Sequence, residues 1–188
     1  MQRAAQVFYY RQFGRLLSYP AFDYFDQVRW LFEQCGHDRE KFSDPAVVDQ
    51  LSRFFDSIQG LAQGELEELF TATFDLAPAC TPYLGVHLFG ESDFRRSELM
   101  CELISVYELH GFDAGGELPD HLAVLMRSAF VFSPEQWDEL VRRCLLPAVR
   151  KMVEILSSQN NPYRFLLSAV ETLLRVGSTA ELVGIGDA

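Results

Sequence analysis

Apolar residues return every three or four positions along almost the whole chain, the spacing of one buried helix face. Val7, Phe8, Leu16 and Leu17 predict a first helix that stops at Tyr19–Pro20, because proline disfavours helical geometry in the residue before it. Phe22, Phe25, Val28, Leu31 and Phe32 predict a second, ended near Gly36. Asp44–Pro45 reads as an N-cap with proline at the first helical position, followed by Val47, Val48, Leu51, Phe54, Phe55 and Ile58. Leu66, Leu69, Phe70 and Phe74 make a fourth helix, closed by the turn between Pro78 and Pro82.

A short helix over 83–89 ends at Gly90, and Leu99, Leu103, Ile104 and Tyr107 line another that ends at Gly111. Residues 118–132 read as one helix entered through Pro119. Ser133-Pro134-Glu135-Gln136 is a capping box with proline in the first turn. The helix it opens buries Leu145, Val149, Met152, Val153 and Leu156, with Pro147 expected to bend it. Asn161–Pro162 opens a last helix carrying Phe165, Leu166, Ala169, Val170, Leu173 and Leu174. No alternating strand pattern bounded by hairpin turns appears. The expected fold is all-α, a single globular bundle of about nine helices over 1–176, with a flexible tail over 177–188.

Composition leaves this picture in place: 188 residues, 48% hydrophobic and 23% charged, belong to an ordinary globular chain with a real core. Charge changes it. Residues 61–120 hold 12 acidic residues against two basic ones, Arg95 and Arg96, whereas the flanking segments are nearly balanced. Almost all of the net charge of −11 therefore sits in the middle third, where a basic partner would be drawn. An acidic chain of pI near 4.7 is a poor fit to nucleic acid or to an anionic membrane surface. The N-terminus has no signal-peptide core and no apolar run spans a bilayer, so a cytoplasmic location without membrane insertion is expected.

Catalytic patterns are missing. Four histidines (His37, His87, His110, His121) and four cysteines (Cys35, Cys80, Cys101, Cys144) do not cluster at metal-ligand spacing, so no metal or other cofactor is expected. There is no nucleophile elbow, phosphate loop or dinucleotide glycine pattern. Adjacent Asp120 and His121 would point about 100° apart on a helix and make a poor acid–base pair. The chain reads as a binding protein, not an enzyme.

One ordered set of short motifs goes further. T-F-D (73–75), Y-L (83–84), F-G-E (89–91), the arginine pair, Leu99, Leu103, Tyr107, Gly111 and E-L-P-D-H-L (117–122) resemble the NarJ group, the delta-type chaperones of respiratory nitrate reductases within the TorD/DmsD clan. F-G-R-L-L-S-Y-P (13–20) is similar to the end of that group's N-terminal helix. The resemblance implies a TorD-like all-helical, non-catalytic chaperone. It would bind the N-terminal leader, often a twin-arginine signal or its remnant, of the apo catalytic subunit of a molybdopterin oxidoreductase until cofactor insertion is complete. Ser97 stands where NarJ-like chains usually carry glycine, which leaves molybdoenzymes other than nitrate reductase open as clients.

By the same resemblance, Glu117, Pro119, Asp120 and His121 match the element associated with leader recognition, and Tyr83, Leu84 and His87 match the short helix taken to line the same groove. Residue type then suggests roles. Asp120 and Glu117 accept from arginine, and Tyr83, Leu84 and Leu88 supply apolar anchoring area. Plainer roles stay open: Pro119 and Asp120 as a helix start, Tyr83 and Leu84 as core, and Arg95 and Arg96 as counter-charges to Glu91, Asp93 and Glu98. The alternative function is a general helical adaptor binding an amphipathic helix of another partner. Monomer and dimer are both open, with Ser157–Asn161 as the candidate hinge for a domain swap.

Overall fold

The computed structural model describes residues 3–37 and 45–183. Its helices are α1 (Arg3–Leu16), α2 (Tyr24–His37), α3 (Ala46–Ile58), α4 (Gln63–Phe74), α5 (Leu84–Phe89), α6 (Phe94–Leu109), α7 (Leu122–Arg127), α8 (Pro134–Leu140), α9 (Leu146–Ser158) and α10 (Tyr163–Val183). A 3₁₀ turn (Ala129–Val131) follows α7, and a π-helical stretch (Val141–Leu145) joins α8 to α9. Among the described residues no strand forms, and the fold is all-α as the periodicity predicts. The chain divides into two compact units, Tyr19–Thr81 with Val149–Ala188 and Gln2–Ser18 with Pro82–Ala148. They share the stretch read from the sequence as one domain.

In the first unit α3 packs against α10 and α2. Val47, Val48, Leu51, Phe54 and Ile58 all face inward, as their spacing dictates. Phe54, Phe70 and Phe74 surround the buried ring of Tyr163 at 5.2, 6.0 and 5.0 Å. Phe22, expected on the buried face of the second helix, instead lies before α2 and is 93% exposed. The expected Asp44 cap lies outside the described residues. Asn161 Oδ1 accepts from the Tyr163 N–H at 2.9 Å and starts α10, while its amide donates to Thr73 Oγ1 at 2.8 Å. The candidate hinge is thus tied to α4. Beyond Gly177, where the sequence suggested a tail, α10 continues to Val183.

In the second unit α1 packs on α7 and on the 3₁₀ turn that follows it. The α1 helix buries Tyr9, Tyr10, Phe13 and Leu16, and the expected Phe8 is 41% exposed. α1 lies on α7 at Gly14, where a Cβ would sit 2.9 Å from Arg127 Cγ and 3.0 Å from the Ala123 carbonyl. The glycine of the F-G-R-L-L motif is therefore required by helix contact. Ser133 and Gln136 form the predicted reciprocal cap, at 3.2 and 2.9 Å. Just before Pro147 the chain is π-helical, and the Leu146 N–H bonds to the Val141 carbonyl in an i→i−5 step.

The expected single helix over 118–132 is overturned. Only Leu122–Arg127 is α-helical, because residues 118–121 turn and pair with the segment before α5. Tyr83 and His121 form an isolated antiparallel bridge, with Leu84 N–H donating to the Asp120 carbonyl and Leu122 N–H to the Pro82 carbonyl, each at 2.9 Å. Backbone committed to that pairing cannot continue a helix.

Candidate functional site

The bridge brings the two sequence elements singled out, 83–88 and 117–121, into one place. At its centre the Asp120 side chain has no exposed surface. Its Oδ2 accepts from the Gly85 N–H at 3.2 Å and from Arg96 Nε at 3.0 Å. The first contact supplies the N-terminus of α5 with a cap from 35 residues away, since no neighbouring side chain caps it. The second pairs Asp120 with an arginine that is only 12% exposed. The arginine that Asp120 accepts from is the chain's own. Oδ1 is buried with no hydrogen-bond partner among the described residues.

Gly85 makes this arrangement sterically feasible. A Cβ there would lie 2.5 Å from Arg96 Cγ and 2.8 Å from Asp120 Oδ2. Arg96 also lies over the Tyr83 ring, 5.7 Å from its centroid. Its neighbour Arg95 takes the predicted local role, donating from Nη2 to Asp93 at 2.8 Å. Asp93 caps α6 through the Arg95 N–H, and the Arg95 side-chain and backbone hydrogen bonds lower its carboxyl to about 2. Ser97 therefore sits in a first turn that Asp93 already starts, without the glycine usual in NarJ-like chains.

His121 is also structural. It is 7% exposed, caps α7 by accepting from the Ala123 N–H at Nδ1 (3.1 Å), and meets the Tyr83 ring edge-on at 5.4 Å. An accepting Nδ1 places the proton of the neutral ring on Nε2. Burial lowers the His121 pKa, Arg127 acts in the same direction, and Glu117 and Asp120 oppose them. Pro119 is buried, and its carbonyl accepts from Tyr107 Oη at 3.2 Å. Burial raises the Tyr107 phenol to about 12, so it remains a donor. Arg127 Nη2 reaches the Ala114 carbonyl at 3.3 Å and ties the 110–121 loop to α7.

What reaches the surface is a smaller set. Glu117 is exposed, and Tyr83 Oη donates weakly to its Oε2 at 3.5 Å. Burial, followed by the Glu117 carboxylate, holds the Tyr83 phenol above its usual value. His87 and Leu88 lie half-buried further along α5, and Leu84 is fully buried at its start. Leu118, which the sequence reading passed over, is 44% exposed beside Glu117. Among the described residues no group of three or more His, Cys, Asp or Glu could hold a metal, and no helix is long and apolar enough to cross a membrane.

No curated protein matches the chain. The family model described as nitrate reductase delta subunit matches residues 37–164, a span that covers the Tyr83–His121 bridge and the Asp120–Arg96 pair. The chain thus belongs to the nitrate reductase delta-subunit family, whose role is that of a molybdoenzyme assembly chaperone and not of a catalyst.

Proposed function

We propose that the chain is a cytoplasmic chaperone that holds the N-terminal leader of the apo catalytic subunit of a molybdopterin oxidoreductase until cofactor insertion. The observation that carries this reading is the Tyr83–Glu117 pair, half-buried tyrosine and exposed carboxylate, mounted on a buried frame inside the acidic third. Glu117 offers a carboxylate to a leader arginine, and Tyr83, Leu88 and Leu118 offer apolar area beside it, with His87 on the same short helix. Asp120, His121, Pro119 and Leu84 act beneath them. They fix the bridge and the start of α5, so that the exposed groups are held on a rigid frame.

Capture of the apo catalytic subunit on the immobilised chaperone tests this. The intact subunit is expected to be retained, and the subunit lacking its leader to be released. Equal retention of both forms would refute leader recognition. Retention of unrelated amphipathic helices with the same affinity would favour the adaptor reading.

A further inference from the structure

α6 has more apolar surface than its own unit covers. Of its 16 residues only Leu103 and Tyr107 are buried, yet Phe94, Ile104 and Leu109 are 74%, 43% and 79% exposed. A helix with apolar residues round most of its circumference belongs in an interior, its own or one shared with a partner. Next to the buried pair runs a groove of ≈ 340 Å³. Leu99, Leu103 and Val106 form one wall at i, i+4 and i+7, and Leu140 and Cys144 form the other. Both walls are helical and the α6 wall extends about 10 Å, two turns at 1.5 Å per residue. Two such walls present ridges between which a third helix packs.

The rim of the groove carries a sign. Glu102 on α6 and Glu139 on α8 stand on opposite walls. Both raise the Cys144 thiol, adding to the larger effect of burial, while Arg143 opposes them. Glu139 accepts from Arg143 Nε at 3.1 Å, but both side chains are well exposed and the pair is weak. Glu98, Glu102 and Glu108 have no cationic partner among the described residues. The arginines of α6 are already engaged, Arg95 with Asp93 and Arg96 with Asp120.

We infer that this groove seats a helix of the client's catalytic subunit, apolar on one face and bearing a lysine or arginine that lies between Glu102 and Glu139. The assignment rests on the assembly-chaperone role but not on leader binding at Tyr83 and Glu117, because neither of those residues lines the groove.

The test uses the full chain in a Cys101→Ser background. Cys144 is then the only cysteine that is not buried, since Cys35 and Cys80 lie in the interior. Saturating apo catalytic subunit is expected to slow maleimide labelling of Cys144 at least tenfold. A Glu102→Lys/Glu139→Lys variant with an unchanged melting curve is expected to bind the subunit at least tenfold more weakly. Unchanged labelling, or equal binding by the folded variant, overturns the groove assignment and leaves leader binding untouched. Protection of Cys144 that follows the chaperone's own concentration would give the groove to a second copy and also overturn it. If the wild-type chain fails to hold the subunit at all, the chaperone role falls and the groove assignment falls with it.

Discussion

Removing Arg96 tests the buried frame at its most exposed weakness. In Arg96→Met the apolar stem is kept and the guanidinium is lost, so the Asp120 carboxylate, with no exposed surface, retains only the Gly85 N–H. Breaking a buried pair by removing one partner costs about 3–5 kcal/mol, because the other charge is left uncompensated. A pair at the surface would cost at most about 1 kcal/mol. Asp120→Asn leaves the arginine unpaired instead and adds an amide donor at the position of the already unpartnered Oδ1. The double variant should therefore cost less than the sum of the two, with a coupling of about 1–3 kcal/mol. Urea unfolding measures this by linear extrapolation. The chain has two tryptophans, Trp30 and Trp137, one in each unit. A Trp30→Phe background therefore makes fluorescence report the unit that holds the pair. A loss below about 1 kcal/mol for Arg96→Met, or strict additivity in the double variant, would refute the account of Asp120 as an internal anchor.

Other residues give sharper local outcomes. Gly85→Ala puts a Cβ against Arg96 Cγ and Asp120 Oδ2 and should cost about 1–3 kcal/mol by overpacking, read by the same unfolding curve. His121 has a folded pKa below its unfolded value near 6.5, so the unfolded chain takes up its proton first as pH falls. Stability should therefore decline below about pH 6.5, by at most about 1.4 kcal/mol per pH unit from this group. In His121→Asn, which keeps a capping oxygen, that part of the slope should vanish in melting curves taken between about pH 5 and 8. Ser133→Ala removes the acceptor at the start of α8 and should cost about 0.5–2 kcal/mol, measured by thermal melting.

The helical class was legible in the sequence because each helix writes its buried face locally. Val47 to Ile58, the Ser133 box and the glycines after α5 and α6 all act within a turn or two of themselves. Long-range pairing was not legible in this way. Arg96 lies 24 residues from Asp120, and its local acidic neighbours suggested a partner that in fact takes Arg95. The same limit explains the helix expected over 118–132. Its apolar spacing is helical, but the bridge to Pro82 and Tyr83 claims its first residues and turns His121 into a cap. Family resemblance marked two segments that the bridge brings together, yet it could not separate the side chains that show at the surface from those that hold them there. Glu117 and Tyr83 show; Asp120, His121, Pro119 and Leu84 hold. In α1 the periodicity located the helix and the buried Leu16 and Leu17, but it put Phe8 on the wrong face. Tyr9 and Tyr10 go inward, where Tyr10 meets Trp137 at 5.1 Å, while Phe8 faces solvent.

The proposed function has an acidic and aromatic surface on a buried frame read the leader of a molybdoenzyme subunit. Calorimetric titration of the chain with that subunit's N-terminal peptide tests it most directly. The account predicts saturable binding that weakens with salt, falls several-fold in Glu117→Lys, and disappears when the peptide's arginines are replaced. Equal affinity for the wild-type chain and a folded Glu117→Lys variant, or binding indifferent to salt and to the peptide's arginines, would contradict it.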